Sequence, residues 1–301
     1  MVEIIAHRGG SGLRVENTLA AFANAIATGA AGAELDVRFS ADGQVVVHHD
    51  SHLNSGYCRH ADGRWLTAGE EPAIADLDYE VLRGFDIGTP RPGSDYARRF
   101  DAIRAEKRQR IPLLQDVIRL VREMSDTFFL VMEVKDSVLD GKPEEWRRLV
   151  DTVLEIVERE GLADRFRLCS FDWRSLLYAR QQREATRTWF TTHPLSWYGQ
   201  GIPQLEDIPP DSDYLERFRA AYRNGAVWLL GANPADCAAA IAAAGGEAWF
   251  MYHTDCSQAR VLDARWHGLS TAAWSVNLRD QASISALQRA GVDWSCVDYP
   301  G

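Results

Sequence analysis

The feature that most constrains this chain is a regular alternation of short apolar runs with helical patterns. Strand-length runs occur at 2–6, 33–39, 128–134, 167–170, 187–191, 248–252, 271–276 and 294–297. Helical signals separate them. Leu19, Phe22, Ala23 and Ile26 make one apolar face at i, i+3, i+4, i+7, with Asn17 or Thr18 as its cap. Trp146–Glu160 makes another, which Gly161 ends. Alternation of this kind is the pattern of parallel β/α units. Eight units favour a sheet closed on itself, so the expected fold class is α/β, a closed (β/α)8 barrel. The length of 301 residues suits one such barrel domain, 1–301, with one insertion.

The turn Asp42-Gly43 fixes a detail of that barrel. Two turn residues cannot carry a parallel crossover. Gln44–His48 therefore folds back beside its neighbour instead of adding the next barrel strand. Residues 51–110 are polar and poorly periodic and contain Pro72, Pro90 and Pro92. They read as an insertion or lid within the barrel. A Pro/Gly/Trp-rich loop is expected at 193–215 and a helix at Tyr214–Asn224.

Composition excludes several function classes. Apolar residues make up 46% and charged residues 25%, the balance of a chain with a large core. The net charge of −10 has the wrong sign for a phosphate-backbone binder, so no nucleic-acid partner is expected. No apolar run approaches the roughly 18 residues of a membrane span, so no stable membrane insertion is expected. The first ten residues lack a basic region followed by an apolar one. The expected location is cytoplasmic, or periplasmic or secreted if a leader has been trimmed. Five cysteines without a C-x-x-C spacing exclude a zinc cage or a disulfide framework. Oligomeric state leaves no signal in this sequence.

Chemistry in such barrels gathers where the strands end. Glu34 and Asp36 are two apart on a strand and share a face, about 7 Å apart. Glu133 and Lys135 repeat the arrangement on the next barrel strand. Acid-x-acid pairs are common by chance, about six in a chain of this composition. What distinguishes this pair is its place at the inward end of a buried strand. Three converging carboxylates repel unless a cation neutralises them, and oxygen-only ligands suit Mg²⁺ or Ca²⁺. His7 and His49 end strands on either side of the same mouth and can take or give a proton near neutrality. His48 alternates with His49 and is expected to point away. Arg8 follows His7 in a glycine-flanked turn, where its fork suits a phosphate. An ion pair to Glu16 or Glu34 is the ordinary alternative for it. These parts describe phosphoryl transfer. Two histidines point to a diester, whose departing alkoxide needs a general acid.

The ordered motifs resemble the glycerophosphodiester phosphodiesterase family. They are His7-Arg8-Gly9, Glu16-Asn17-Thr18, Glu34-Leu35-Asp36, Asp42-Gly43 and His49-Asp50-Ser51-His52-Leu53. Ile111-Pro112-Leu113-Leu114, Glu133-Val134-Lys135, Ser170-Phe171, Trp274-Ser275-Val276-Asn277 and Val297-Asp298-Tyr299-Pro300 follow in order. The resemblance implies a TIM barrel, a divalent metal (Mg²⁺ or Ca²⁺) held by Glu34, Asp36 and Glu133, and His7 and His49 as the acid–base pair. It implies phosphate or substrate contacts from Arg8, Lys135, Glu16, Trp274, Asn277 and Phe171. It also implies that residues 51–110 cap the mouth. The activity implied is hydrolysis of a glycerophosphodiester, a small-molecule substrate, to glycerol 3-phosphate and an alcohol. Val15 stands where the family usually has proline, and 193–235 matches nothing in its pattern. A lysophospholipase D or sphingomyelinase D type is the near alternative, with Trp197, Tyr198, Trp228 and Trp249 as its acyl channel. A sugar-phosphodiester hydrolase is another. A non-catalytic phosphate-binding barrel would be expected to have lost a histidine or an acidic ligand, and none is lost.

Overall fold

The computed structural model describes residues 2–135, 145–198, 233–276 and 281–301. The strands are β1 (Glu3–Ala6), β2 (Gly32–Phe39), β3 (Val45–Val47), β4 (Phe129–Val134), β5 (Phe166–Ser170), β6 (Thr188–Thr191), β7 (Ala248–Tyr252), β8 (Ser270–Val276) and β9 (Trp294–Val297). The described helices are α1 (Leu19–Ala27), α2 (Tyr79–Leu82), α3 (Asp95–Arg99), α4 (Leu114–Met124), α5 (Trp146–Arg159), α6 (Trp173–Gln182), α7 (Cys237–Ala243), α8 (Gln258–Trp266) and α9 (Gln281–Ala290). Around the ring, β1 pairs with β2, β2 with β4, and β4 through β9 in turn, with β9 returning to β1, all parallel. This is a closed eight-stranded (β/α)8 TIM barrel.

The hairpin behaves as its two-residue turn requires. β3 runs antiparallel to the upper half of β2, with Val47 opposite Val37. The His48 amide then donates to the Asp36 carbonyl at 3.0 Å. The fold-back thus carries His49 to the level of Asp36. Thr18 caps α1, its hydroxyl accepting from the Ala21 amide. The helix α8 has no counterpart among the expected elements. Its sequence, QARVLDARW, places only Val261 and Ala264 in the core, too thin a stripe to show as a period. The helix expected at Tyr214–Asn224 lies outside the described residues.

Period-two alternation divides the strands between two apolar layers. Leu35, Val37, Leu130, Met132, Leu168 and Phe190 face outward to the helices. Ile5, Val131, Cys169, Trp189, Phe250 and Cys296 face inward. Trp189 closes the floor. It is fully buried, with ring contacts to Phe129, Phe250 and Trp294 at 6.2, 5.6 and 4.9 Å, and its Nε1 donates to Glu247.

Residues 51–110 are less loose than their polarity suggests. Leu53, Tyr57, Leu66, Ile74, Leu82 and Ile87 form a second apolar cluster that includes Val15 and Val46 of the barrel side. Among the described residues no helix is long and apolar enough to cross a membrane.

Truncating the floor should be expensive. Trp189→Ala is expected to lower stability by about 3–5 kcal/mol in urea unfolding, because the surrounding strands cannot collapse into the void. A loss below about 1 kcal/mol would show that the floor does not depend on this ring.

Candidate active site

The inward rows of the strands continue past the apolar layer to the mouth. Ile5 leads to His7, Val131 to Glu133, Cys169 to Phe171, and Cys296 to Asp298, each two residues on. β2 presents Glu34 and Asp36 on the same row, with Asp36 opposite Glu133 in the register. The charged groups therefore meet because three neighbouring strands end together.

The turn after β1 is strained in a specific way. Arg8 and Asn17 are non-glycine residues with positive φ, 51° and 54°. Such backbone persists only where surrounding contacts over-determine it. Here the Asn17 amide donates to the Arg8 carbonyl at 2.9 Å. The Asn17 side chain donates to Asp36 Oδ2 at 2.7 Å, and Arg8 Nε lies 3.6 Å from the same oxygen. The Arg8 amide donates to Glu34 Oε2 at 3.0 Å, and its guanidinium pairs with Glu16 at 2.8 Å. Gly9 completes the turn at φ 81°. A Cβ there would stand 2.8 Å from that of Ala21, so only glycine lets α1 pack this closely.

Glu34, Asp36 and Glu133 each offer an oxygen, all within 4.8 Å of one another. Lys135 Nζ lies 3.0 Å from Asp36 Oδ1 and 2.8 Å from Glu133 Oε1. Burial, then repulsion from Asp36 and Glu133, holds Glu34 well above the usual carboxylate range. Burial works against the charge of Asp36 too. Lys135, His49, Arg8 and the Asn17 hydrogen bond outweigh it and hold Asp36 well below that range. Four carboxylates (with Glu16) thus stand against two fixed cations. The deficit of two charges and the all-oxygen donor set fit one hard divalent cation.

Both histidines are oriented by carboxylates. His7 Nδ1 donates to Asp298 Oδ1 at 2.6 Å, and the Ser11 hydroxyl donates to the same oxygen. Burial opposes the charge of Asp298, but the His7 hydrogen bond brings it down to about 2. His7 Nε2 lies 3.9 Å from Glu34 Oε2. His49 Nδ1 donates to Asp50 Oδ1 at 2.7 Å, and Asn54 donates to the other oxygen of Asp50. Burial, with Arg8 and Lys135 nearby, pushes His49 down to about 3. His48 points away, buried, with Nε2 at 3.1 Å from the His52 carbonyl oxygen.

Opposite the charged groups the mouth is aromatic. Phe171 and Trp274 meet edge to face at 5.3 Å, and Tyr252 meets Trp274 at 5.0 Å. Trp274 Nε1 donates to the Thr192 carbonyl at 3.1 Å. Trp249, expected in an acyl channel, does not face the mouth. Period-two alternation turns it outward into the helix layer, where its Nε1 donates to the Thr192 hydroxyl. Trp197 is buried with its ring on His193. Asn277, Trp228 and the ring of Tyr198 lie outside the described residues. Sequence reasoning assigned no role in the site to Asp298, Asp50 or His193, and offered Asn17 only as a helix cap, a place that Thr18 takes. Asp50 and Asp298 had a usable signal, each being an acid within a motif beside a histidine or at a strand end.

The raised Glu34 has a consequence for stability. A carboxylate raised on folding favours the fold below its unfolded value, about 4.5, and that contribution is lost as pH rises through the folded value. In the presence of chelator, Glu34→Gln should therefore raise Tm at pH 8 and change it little at pH 4 in scanning calorimetry. A Gln variant less stable than wild type at pH 8 would contradict this reading of the cluster.

Comparison with known proteins follows the same lines. The model of the glycerophosphoryl diester phosphodiesterase family matches residues 7–301. A solved structure from Silicibacter pomeroyi that carries the family's name superposes with a TM-score of 0.81 at 30% identity, covering 100% of this chain and 91% of that one. A Bacillus altitudinis glycerophosphodiester phosphodiesterase is 31% identical over 176 residues, 58% of this chain and 60% of its own length. The chain spans about 60% of the length of the two Bacillus relatives that it matches in this region. An Oleispira antarctica phosphodiesterase, solved with its product sn-glycerol-3-phosphate, shares the fold with a TM-score of 0.66 at 20% identity, covering 99% of this chain and 93% of that one.

Proposed function

The chain belongs to the glycerophosphoryl diester phosphodiesterase family, and from that premise we propose that it hydrolyses glycerophosphodiesters to glycerol 3-phosphate and an alcohol. The observation that carries the reading is the convergence of two carboxylate-oriented histidines on one acidic cluster flanked by Arg8 and Lys135. Glu34, Asp36 and Glu133 would hold the divalent cation, Mg²⁺ or Ca²⁺. When bound, it would supply charge to offset what builds on the phosphoryl oxygens.

Each protein group has a task in this reading. Arg8 and Lys135 bind and orient the phosphate oxygens from one side of the mouth. Glu16 fixes the Arg8 guanidinium. Burial, helped by Arg8 and Lys135, holds His49 neutral, so its ring can accept a proton and it acts as the base on the attacking hydroxyl. His7 stands between two carboxylates, with Nδ1 on Asp298 and Nε2 turned towards Glu34. It gives a proton to the departing alkoxide, and Asp298 keeps its ring in the required tautomer. Residues 51–110 cap the mouth: Tyr96 Oη accepts from the Glu16 amide at 3.3 Å, which ties this segment to the phosphate-binding arginine. Trp249, one candidate lining of an acyl path, packs into the helix layer instead.

Release of glycerol 3-phosphate from glycerophosphocholine and glycerophosphoethanolamine tests the proposal. Turnover should be abolished by chelator and restored by a divalent cation. His49→Ala should lower kcat at least about 10²-fold. Choline release from lysophosphatidylcholine alone would move the protein to the phospholipase D class. Inertness on all of these with cation present would favour a binding protein.

A further inference from the structure

Residues 104–110 read Arg-Ala-Glu-Lys-Arg-Gln-Arg, four cations against one carboxylate in a chain whose net charge is −10. The proposed chemistry uses none of them. Arg104, Lys107, Arg108 and Arg110 are all exposed. Glu106 lies 3.7 Å from Arg14, and Arg110 donates to the Arg83 carbonyl. Among the described residues no carboxylate pairs with Arg104, Lys107 or Arg108, so their charge acts through solvent. The segment is anchored at the mouth. The Arg104 amide donates to the Leu13 carbonyl at 3.1 Å, and the Ala20 amide donates to the Gln109 side chain at 3.2 Å. These anchors are the loop after β1 and the first turn of α1. That loop also carries Arg8, and a helix that follows a barrel strand begins at the end where the strand finishes. The exposed cations therefore stand on the β1 side of the mouth, on the loop of the phosphate-binding arginine. Across the mouth, Phe171 and Trp274 add no charge of their own.

Solvated charges of this kind hold no ligand in a fixed pose. They raise the local concentration of ions of opposite sign and speed their arrival, and salt screens them over about 10 Å. What they sort is net charge. The phosphodiester group is an anion. An alcohol arm that is uncharged or acidic leaves the whole molecule an anion, whereas a choline or ethanolamine arm cancels the charge. We propose that residues 104–110 are an electrostatic guide that selects net-anionic diesters, those of a polyol or an acidic alcohol, over zwitterionic ones. The proposal rests on the phosphodiesterase reading above and names the substrate class that the same site receives. Arg104, Lys107 and Arg108 take no part in the bond-breaking step; they act on the approach and on the occupancy of the mouth.

The triple variant Arg104→Gln, Lys107→Gln, Arg108→Asn removes three charges from exposed positions, and Asn suits the positive φ of 66° at 108. It is compared with wild type on glycerophosphoglycerol, a net anion, and on glycerophosphocholine, a zwitterion. For wild type, kcat/KM on glycerophosphoglycerol should fall about 3- to 10-fold between low salt and about 0.3 M NaCl, and on glycerophosphocholine stay within about twofold. At low salt the triple variant should lose about 3- to 10-fold on glycerophosphoglycerol through KM, with kcat unchanged, and its salt dependence should flatten. On glycerophosphocholine it should stay within about twofold of wild type. Lys107→Glu should lower kcat/KM on the anion further than Lys107→Gln. Equal losses on both substrates, no loss on either, or a wild type with the higher kcat/KM on glycerophosphocholine at low salt would overturn the proposal. Calorimetric titration of glycerol 3-phosphate at low salt reads the same field without turnover. Weaker binding by the triple variant supports the proposal, and equal affinity overturns it. A wild type inert on both diesters, with that difference in affinity intact, would instead overturn the phosphodiesterase reading.

Discussion

The mouth of this barrel depends on Asp36 remaining ionised while fully buried. Burial alone would neutralise it. Lys135, Arg8 and Asn17 reach it from three different places in the chain, and two of them, Arg8 and Asn17, do so from backbone with positive φ. The positive φ angles of Arg8 and Asn17 are part of this arrangement, since both side chains end on the same oxygen of Asp36. Glu34 is the member left over. It has no Lys or Arg ion pair of its own among the described residues, and burial, then repulsion from Asp36 and Glu133, raises it. A site with one secured carboxylate and one frustrated carboxylate is poised to take up positive charge.

The rest of the structure brings those groups together and divides the space above them. The closed ring places β9, β1, β2 and β4 side by side, so their ends concentrate charge. Tyr252 ends β7, Trp274 lies near the end of β8, and Phe171 and His193 follow the ends of β5 and β6. The hairpin β2–β3 is a departure from the simple barrel and carries His49 to the cluster. The floor is sealed by Trp189 and its ring neighbours, which separate the mouth from the Arg167–Glu247 ion pair at the opposite end.

Much of this was legible in the sequence. Eight apolar runs and a two-residue turn were enough for the ring and for its antiparallel addition, because strand period and turn length leave few alternatives. Glu34, Asp36 and Glu133 were legible because two-residue spacing maps directly onto one strand face. The partners Asp298 and Asn17 were not, because their roles come from long-range closure of the ring and from a backbone conformation that no residue pattern announces. Helix α8 was missed because only two of its residues reach the core. The polarity of 51–110 concealed its apolar cluster, whose members are scattered in sequence and share no period. Trp249, offered only for the acyl channel of the alternative reading, packs outward, because a count of tryptophans ignores which face of the strand each one occupies.

The most direct test is calorimetric titration of chelator-treated protein with Mg²⁺ and with Ca²⁺, for wild type and for Asp36→Asn. If the cluster is organised around one divalent cation, wild type binds one ion per chain and the variant, correctly folded, loses that binding. Unchanged binding in Asp36→Asn, or no binding by wild type to either ion, would contradict it.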